Sequence, residues 1–472
     1  MSTSKVGIPW WGKLLLAVAG FSVLVMGIIY LLSMASAVRW ERYAASLRQD
    51  GQPVTFEEIE QLRKEIPDEI NGALLLTDLT DDLKAMGEQR WDVDRGVLIF
   101  GHDDDSKHGF FQGIPRFRVD ASRAFLAERR DLIEKLLVLR DRPTGRYDFE
   151  VGATAIHTLI PQMPTARLAG KLAYLESMVA LFDGDLSRAI DATRVLASIS
   201  GTLNEHPTVI GRFVQNAIDA LTKRAVENTL RAIEPDEPTL RALTAVIDRR
   251  LAACTMKWAL LGERAFFLAT CEDVAAGRLS MMQLSTGGAV VPSLRVLPDF
   301  LILQNKTTGV EMLTRLVEAT DDPPALMKAA NGIDAEVPKL PITQFIVRTL
   351  MPSLSRAVTL HLRLTSELQC ARLGLAAERF RMNTGRLPVS LDELVPDYVD
   401  EIPSDPFDGA AMRFAQTDQG IVIYSVDEDL VDDGGLVERQ SQKPYVRDSG
   451  FRLFKPQHRG VLLTDELPPS DE

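Results

Sequence analysis

The chain has 472 residues, 46% hydrophobic and 25% charged, which excludes a disordered tail, a collagen and a multi-span transporter. Its formal charge of −13 makes it a poor general nucleic-acid binder, because phosphate contacts need clustered cations. Its three cysteines are too few for a disulfide framework.

Residues 1–13 are a short tail. Leu14 to Leu32 then reads LLLAVAGFSVLVMGIIYLL, 19 residues without a charge. As a helix this run spans about 28 Å, close to the hydrocarbon thickness of a bilayer. Trp10 and Trp11 precede it and Trp40 and Tyr43 follow it, as interface aromatics do. A membrane anchor is therefore expected over 14–37. Ala35-Ser36-Ala37 also fits a signal-peptidase site, but the apolar run is longer than a usual signal core and favours a retained anchor. Either reading exports the remainder. Lys5 and Lys13 on one side and Arg39, Arg42 and Arg48 on the other give almost no charge bias. A short tail before a single span and a long domain after it predict N-in, with a large extracytoplasmic C-terminal domain.

Residues 38–120 read as a stalk and a small mixed region. Thr55 and Glu58 fit a capping box for FEEIEQLRKEI, with Pro67 as its terminator. RGVLIFG, residues 95–101, reads as a short β run. His102-Asp103-Asp104-Asp105-Ser106-Lys107-His108-Gly109 after it is either a divalent-metal loop or, as its isolation favours, a solvated acidic loop.

Residues 121–345 read as a helical body ending in an irregular connector from 281. Leu132, Ile133, Leu136 and Leu137 recur at helical spacing, as do Leu168, Leu172, Leu175, Val179 and Phe182. Gly184-Asp185 separates the latter helix from LSRAIDATRVLASI, a hairpin that resembles one tetratricopeptide-like unit without a repeat at the usual period of about 34 residues. Asp236 or Thr239 is placed to cap the next helix. Cys254 and Cys271 are expected in one helical stretch, too far apart to pair, and with Cys370 read as small core residues.

No HExxH, CxxC, P-loop, GxSxG or dinucleotide-type glycine motif is present. The six histidines are scattered, so only a site assembled by the fold, with His157 or His206 beside carboxylates, would make a hydrolase.

Residues 346–435 are different. A long helix over 354–381 is expected to stop at Asn383-Thr384-Gly385. SLDELV reads as a short helix, capped by Ser390 and boxed by Glu393. Pro403 to Gly409 is a turn, and MRFAQTDQGIVIYSV predicts two antiparallel strands around Asp418-Gln419-Gly420. Asp427, Asp429, Asp432 and Asp433 then supply four carboxylates in seven residues. Residues 436–472 are an extension in which RDSGFRLFKPQHRGVLLT adds a strand or packs on the module, and the acidic end is expected to be disordered.

This order of parts resembles the C-terminal half of the major pseudopilin of type II secretion. The resemblance rests on Gly385, Arg386, Pro388, Leu391, Leu394, Pro403, Asp405, Pro406, Phe407, Gly409, Tyr424, Ser425, Asp429, Gly434 and Gly435. The whole layout is also similar to large single-pass membrane proteins of planctomycete-type bacteria. The pseudopilin resemblance implies calcium at the final loop, held by Asp427, Asp429, Asp432 and Asp433; a solvated acidic turn is the alternative.

The expected fold is mainly α: an N-terminal transmembrane helix, a helical body and a small C-terminal α+β module with an antiparallel hairpin. The expected function is that of a membrane-anchored extracytoplasmic structural or interaction protein, not an enzyme, with a protein partner on the helical body. A secretion- or pilus-like envelope component and a hydrolase are the alternatives.

Overall fold

The computed structural model describes residues 10–88, 97, 112–280, 283, 298–437 and 448–465. The His102–His108 segment and most of the 95–101 run lie outside the described residues. The fold is mainly helical, with a small antiparallel sheet near the C-terminus.

The first helix, α1, runs without a break from Trp10 to Gln49. Among the described residues it is the one helix long and apolar enough to cross a membrane, and none of its apolar window is buried. Its last turns change role: Trp40, Ala44 and Leu47 are buried in the body's core. Arg48 there reaches Glu58, whose carboxylate also accepts from the backbone of Val54 and Thr55, completing the expected capping box of α2 (Phe56–Leu62).

Helix α2 ends at Leu62, before Pro67, because Arg63 turns inward and donates to Tyr147 O at 3.0 Å. Helices α3 (Gly72–Asp78) and α4 (Thr80–Glu88) fold back on the body rather than standing as a stalk, burying Leu76, Leu79 and Leu83. Strand β1 (Gln112–Pro115) leads into α5 (Arg116–Ala127) and α6 (Arg130–Leu137).

Helices α7 (Gln162–Phe182) and α8 (Leu186–Gly201) form the expected hairpin about Gly184-Asp185, with Asp185 capping α8 through Arg188 N. Their facing Leu172, Leu175, Met178, Leu196 and Ile199 join α3, α4 and α6 in one core.

Next come α9 (Val209–Ala232), α10 (Glu237–Ala252) and α11 (Lys257–Ala275). Asp236, not Thr239, caps α10: its carboxylate accepts from Thr239 N at 2.9 Å. Cys254 and Cys271 do not share a helix. The chain breaks between Ala252 and Lys257, which leaves Cys254 in the break and Cys271 inside α11.

The segment expected to be an irregular connector contains α12 (Asp299–Glu318) and α13 (Pro323–Glu336), and α14 (Phe345–Leu350) begins at its end. Helix α12 packs along the end of α1, where Arg39 pairs with Glu311 at 2.8 Å and the Lys306 ammonium sits 4.7 Å from the Trp40 ring centre. Arg264 of α11 is fully buried and donates to Gln52, Pro53 O and Thr314, pinning the exit of α1 to both neighbours.

The long helix α15 (Leu354–Thr384) ends as expected, with Gly385 at φ +78. Strands β2 (Arg413–Gln416), β3 (Gly420–Ser425) and β4 (Ser449–Phe454) form an antiparallel sheet in the order β2-β3-β4. The hairpin is therefore as expected, and the extension supplies its third strand. Phe451 of β4 lies against Gly374 so closely that a Cβ there would fall 2.4 Å from the ring. A residue without a side chain at 374 is what lets α15 lie flat on the sheet. Ser390 makes no cap bond; Glu393 instead accepts from Val389 N and pairs with Arg386. Strand β5 (Leu462–Thr464) leaves the module and pairs in parallel with β1.

Candidate functional sites: the acidic loop and a buried polar network

The acidic loop is built outward from Asp405. This carboxylate is fully buried and accepts from Phe407 N, Ser425 Oγ, Val426 N and Arg413, tying the 403–409 turn to the end of β3. Two residues on, Asp427 adopts φ +59 and turns its carboxylate into the protein. Arg363 of α15 meets it with both arms, at 2.5 and 2.8 Å, and also reaches Glu428 at 3.2 Å. Burial disfavours the Arg363 charge most strongly, but the Asp427 carboxylate outweighs it and the guanidinium titrates above its ordinary range.

The other three aspartates go elsewhere. Asp429 accepts from Val431 N, and Asp432 accepts from Tyr424 Oη and Gly434 N. The backbone N–H of Asp433 donates to Asp448 Oδ1. Burial, with Asp432 and Asp433 nearby, raises the Asp448 carboxyl, although two backbone N–H groups oppose the shift. So Asp427, Asp429, Asp432 and Asp433 are not gathered around one point. Among the described residues no three His, Cys, Asp or Glu side chains are arranged to hold a metal. A hard cation needs several free oxygens, and those of Asp427 are taken by a guanidinium. Asp427 is therefore not open to a cation; Arg363 supplies its positive charge.

This arrangement predicts that adding calcium or a chelator leaves the thermal unfolding of the full chain unchanged. Arg363→Gln should destabilise it by about 3 kcal/mol, because a buried carboxylate loses its partner. Thermal unfolding and limited proteolysis, with and without calcium, check both.

A second cluster lies between helices and was not legible from spacing. Asp219 of α9 and Arg250 of α10 form a pair at 2.7 and 3.2 Å with both side chains 0% exposed. Arg250 continues to Asn204, which also accepts from Gln215. Gln215 accepts from Arg212 at 2.6 Å. Arg212 then donates to His361 Nδ1 of α15 at 3.0 Å and to Cys254 Sγ at 3.3 Å. Thr365 Oγ1 lies 3.2 Å from the same sulfur. Burial, then the charge of Arg212, hold His361 well below the ordinary histidine range. Since a guanidinium only donates, Nδ1 of the neutral ring is the acceptor and Nε2 carries its proton.

The histidines singled out from sequence lie elsewhere. His157 Nδ1 lies 2.6 Å from Thr154 Oγ1. His206 sits between Gln162 at 3.1 Å and Thr208 at 3.0 Å, and burial, with Arg63 nearby, lowers it to about 3. Among the described residues neither has a carboxylate as a hydrogen-bond partner. A cavity of about 160 Å³ opens beside Glu263, whose carboxyl is raised by burial against a single N–H from Val209. Its walls are otherwise apolar, from Phe266, Phe267, Leu313, Leu350, Met351 and Leu354.

No family model, curated protein or solved structure matches the chain.

Proposed function

We propose that the chain is a membrane-anchored, extracytoplasmic structural and interaction protein. One observation carries this reading. Helix α1 is continuous from its exposed apolar stretch into the buried Trp40, Ala44 and Leu47, so whatever holds its first half also holds the body. A flexible tether would allow the body to sample many distances from the membrane. A single helix packed into the core gives one height and one orientation, which suits a scaffold that presents a surface to a partner. The absence of familiar catalytic motifs in the sequence agrees with it.

Fractionation tests the reading. The full chain should stay with membranes through alkaline carbonate, and a variant lacking residues 10–35 should not. Protease added to intact cells should digest the body, and cross-linking in intact membranes should give a band heavier than the monomer. A carbonate-soluble full chain, a body cleaved only after lysis, or a monomer band alone would each remove the corresponding part of the proposal.

A pseudopilin-like envelope role is the second reading. What favours it is the long α15 laid on an antiparallel sheet beside the Asp405 turn. Cross-linked ladders of the chain alone would support it over a scaffold for another protein.

A further inference from the structure

Among the described residues that line the cavity of about 160 Å³, Glu263 alone is charged. Helical spacing puts it there: Glu263, Phe266 and Phe267 stand at i, i+3 and i+4 of α11 and share one face. The Phe267 ring lies against the backbone of Gly309 on α12, where a Cβ would collide with it, so this wall is set by the packing of two helices. Leu313 of α12 and Leu350 and Leu354, at the end of α14 and the start of α15, close the other sides. The cavity is partly open, and Glu263, Phe266 and Leu350 are the wall residues that keep accessible surface. Glu263 accepts from Val209 N at 3.2 Å; among the described residues its carboxyl has no second hydrogen-bond partner and no cation beside it. Asp219, Glu378 and Asp427, buried elsewhere, each face an arginine. Glu263 is left without one, and what stands before it is an apolar hollow.

We propose that this cavity is a binding site for a small organic ammonium, a primary amine that carries an apolar body about the size of one ring. The volume sets the body. A cavity of about 150 Å³ with Leu, Ile and Phe walls takes up benzene, and this one is of that size. The carboxyl sets the head. An anion is repelled by Glu263, a neutral apolar molecule leaves the carboxyl uncompensated, and an amine without an apolar body leaves the walls wet. An ammonium with a ring satisfies both parts of the cavity. Its N–H groups donate to the carboxylate oxygen that Val209 leaves free, and a charge-assisted bond of this kind is stronger in apolar surroundings than in water. The two phenyl rings in the wall also suit a cation better than an anion. Burial pushes the Glu263 carboxyl up against the single N–H of Val209, and an arriving cation reverses that push.

The test titrates benzylammonium chloride and its neutral analogue benzyl alcohol into the full chain in detergent, by isothermal calorimetry against detergent alone. Benzylammonium is expected to bind saturably, one per chain, and about tenfold or more tighter than benzyl alcohol. Glu263→Gln should weaken benzylammonium about thirtyfold and leave benzyl alcohol within about threefold, with the fold intact by circular dichroism. Leu350→Trp, which sets a larger ring at the half-buried edge of the cavity, should abolish both. No saturable heat above the detergent blank, or equal affinity for the two compounds, overturns the proposal on the wild-type chain alone, even if a variant fails to fold. So does unchanged benzylammonium binding in a folded Glu263→Gln or Leu350→Trp chain.

Discussion

Arg250→Met is expected to destabilise the chain by about 3–5 kcal/mol, the cost of leaving a buried charge without its partner. Arg250 and Asp219 are both 0% exposed, so no water replaces the lost hydrogen bonds. The lone Asp219 must then stay ionised in a low-dielectric interior or take up a proton, and either costs free energy. The double variant Arg250→Met with Asp219→Leu should recover most of the loss. A buried pair is worth little net against well-packed apolar side chains, because its desolvation cancels much of its attraction. Urea unfolding of the four chains of this cycle, followed by circular dichroism, gives the coupling directly. A single variant within about 1 kcal/mol of wild type would mean that solvent reaches the pair.

The second large effect is an acid limb that begins above the carboxylate range. His206 is buried and lowered to about 3, mainly by burial and then by Arg63. In the unfolded chain the same ring takes its proton near about 6.5. Between those values the unfolded state binds a proton that the folded state refuses. Stability is therefore full above about pH 6.5 and falls as the pH drops toward 3, by about 1.4 kcal/mol per pH unit for this residue. His361, shifted the same way by burial and Arg212, steepens the slope. His206→Gln should flatten the dependence of the urea midpoint on pH between 6.5 and 4.5. Below that range Glu378 adds a separate loss. Burial pushes its carboxyl up most, but Arg459 and Arg381 outweigh it and hold it below its usual range, so its contribution disappears as acid protonates it. An unchanged midpoint profile in His206→Gln would mean that the ring is already protonated in the fold.

What was legible from sequence follows from range. The uncharged run of α1, the Thr55–Glu58 box and the strand pair about Asp418 are each decided by neighbours within a few residues. The helix over 299–318 was hidden because Thr307, Thr308 and Gly309 weaken its local propensity; Gly309 is accommodated where Phe267 packs against its backbone. Nothing near the aspartate run in sequence showed that Asp427 is already paired, because the guanidinium that meets it, Arg363, lies 64 positions earlier on a helix. Arg212 and His361 are 149 positions apart, and no spacing rule reaches that far. Cys254 read as a core residue for the same reason: its polar neighbours come from α9 and α15.

The pairing of β5 with β1 sets an order of events in the cell. The strand at 462–464 returns to one at 112–115, Gly460 N donates to Arg231 O, and Arg459 reaches Glu378 beside it. The first two contacts close loops of hundreds of residues and the third a loop of 81, and such long-range contacts form late and slowly. Helix α1 leaves the ribosome long before them. On the proposed anchor, the chain is tied to the bilayer before its last strand is in place, and exposed apolar surface in that interval is prone to aggregation. That surface stays open until Phe451 settles over Gly374.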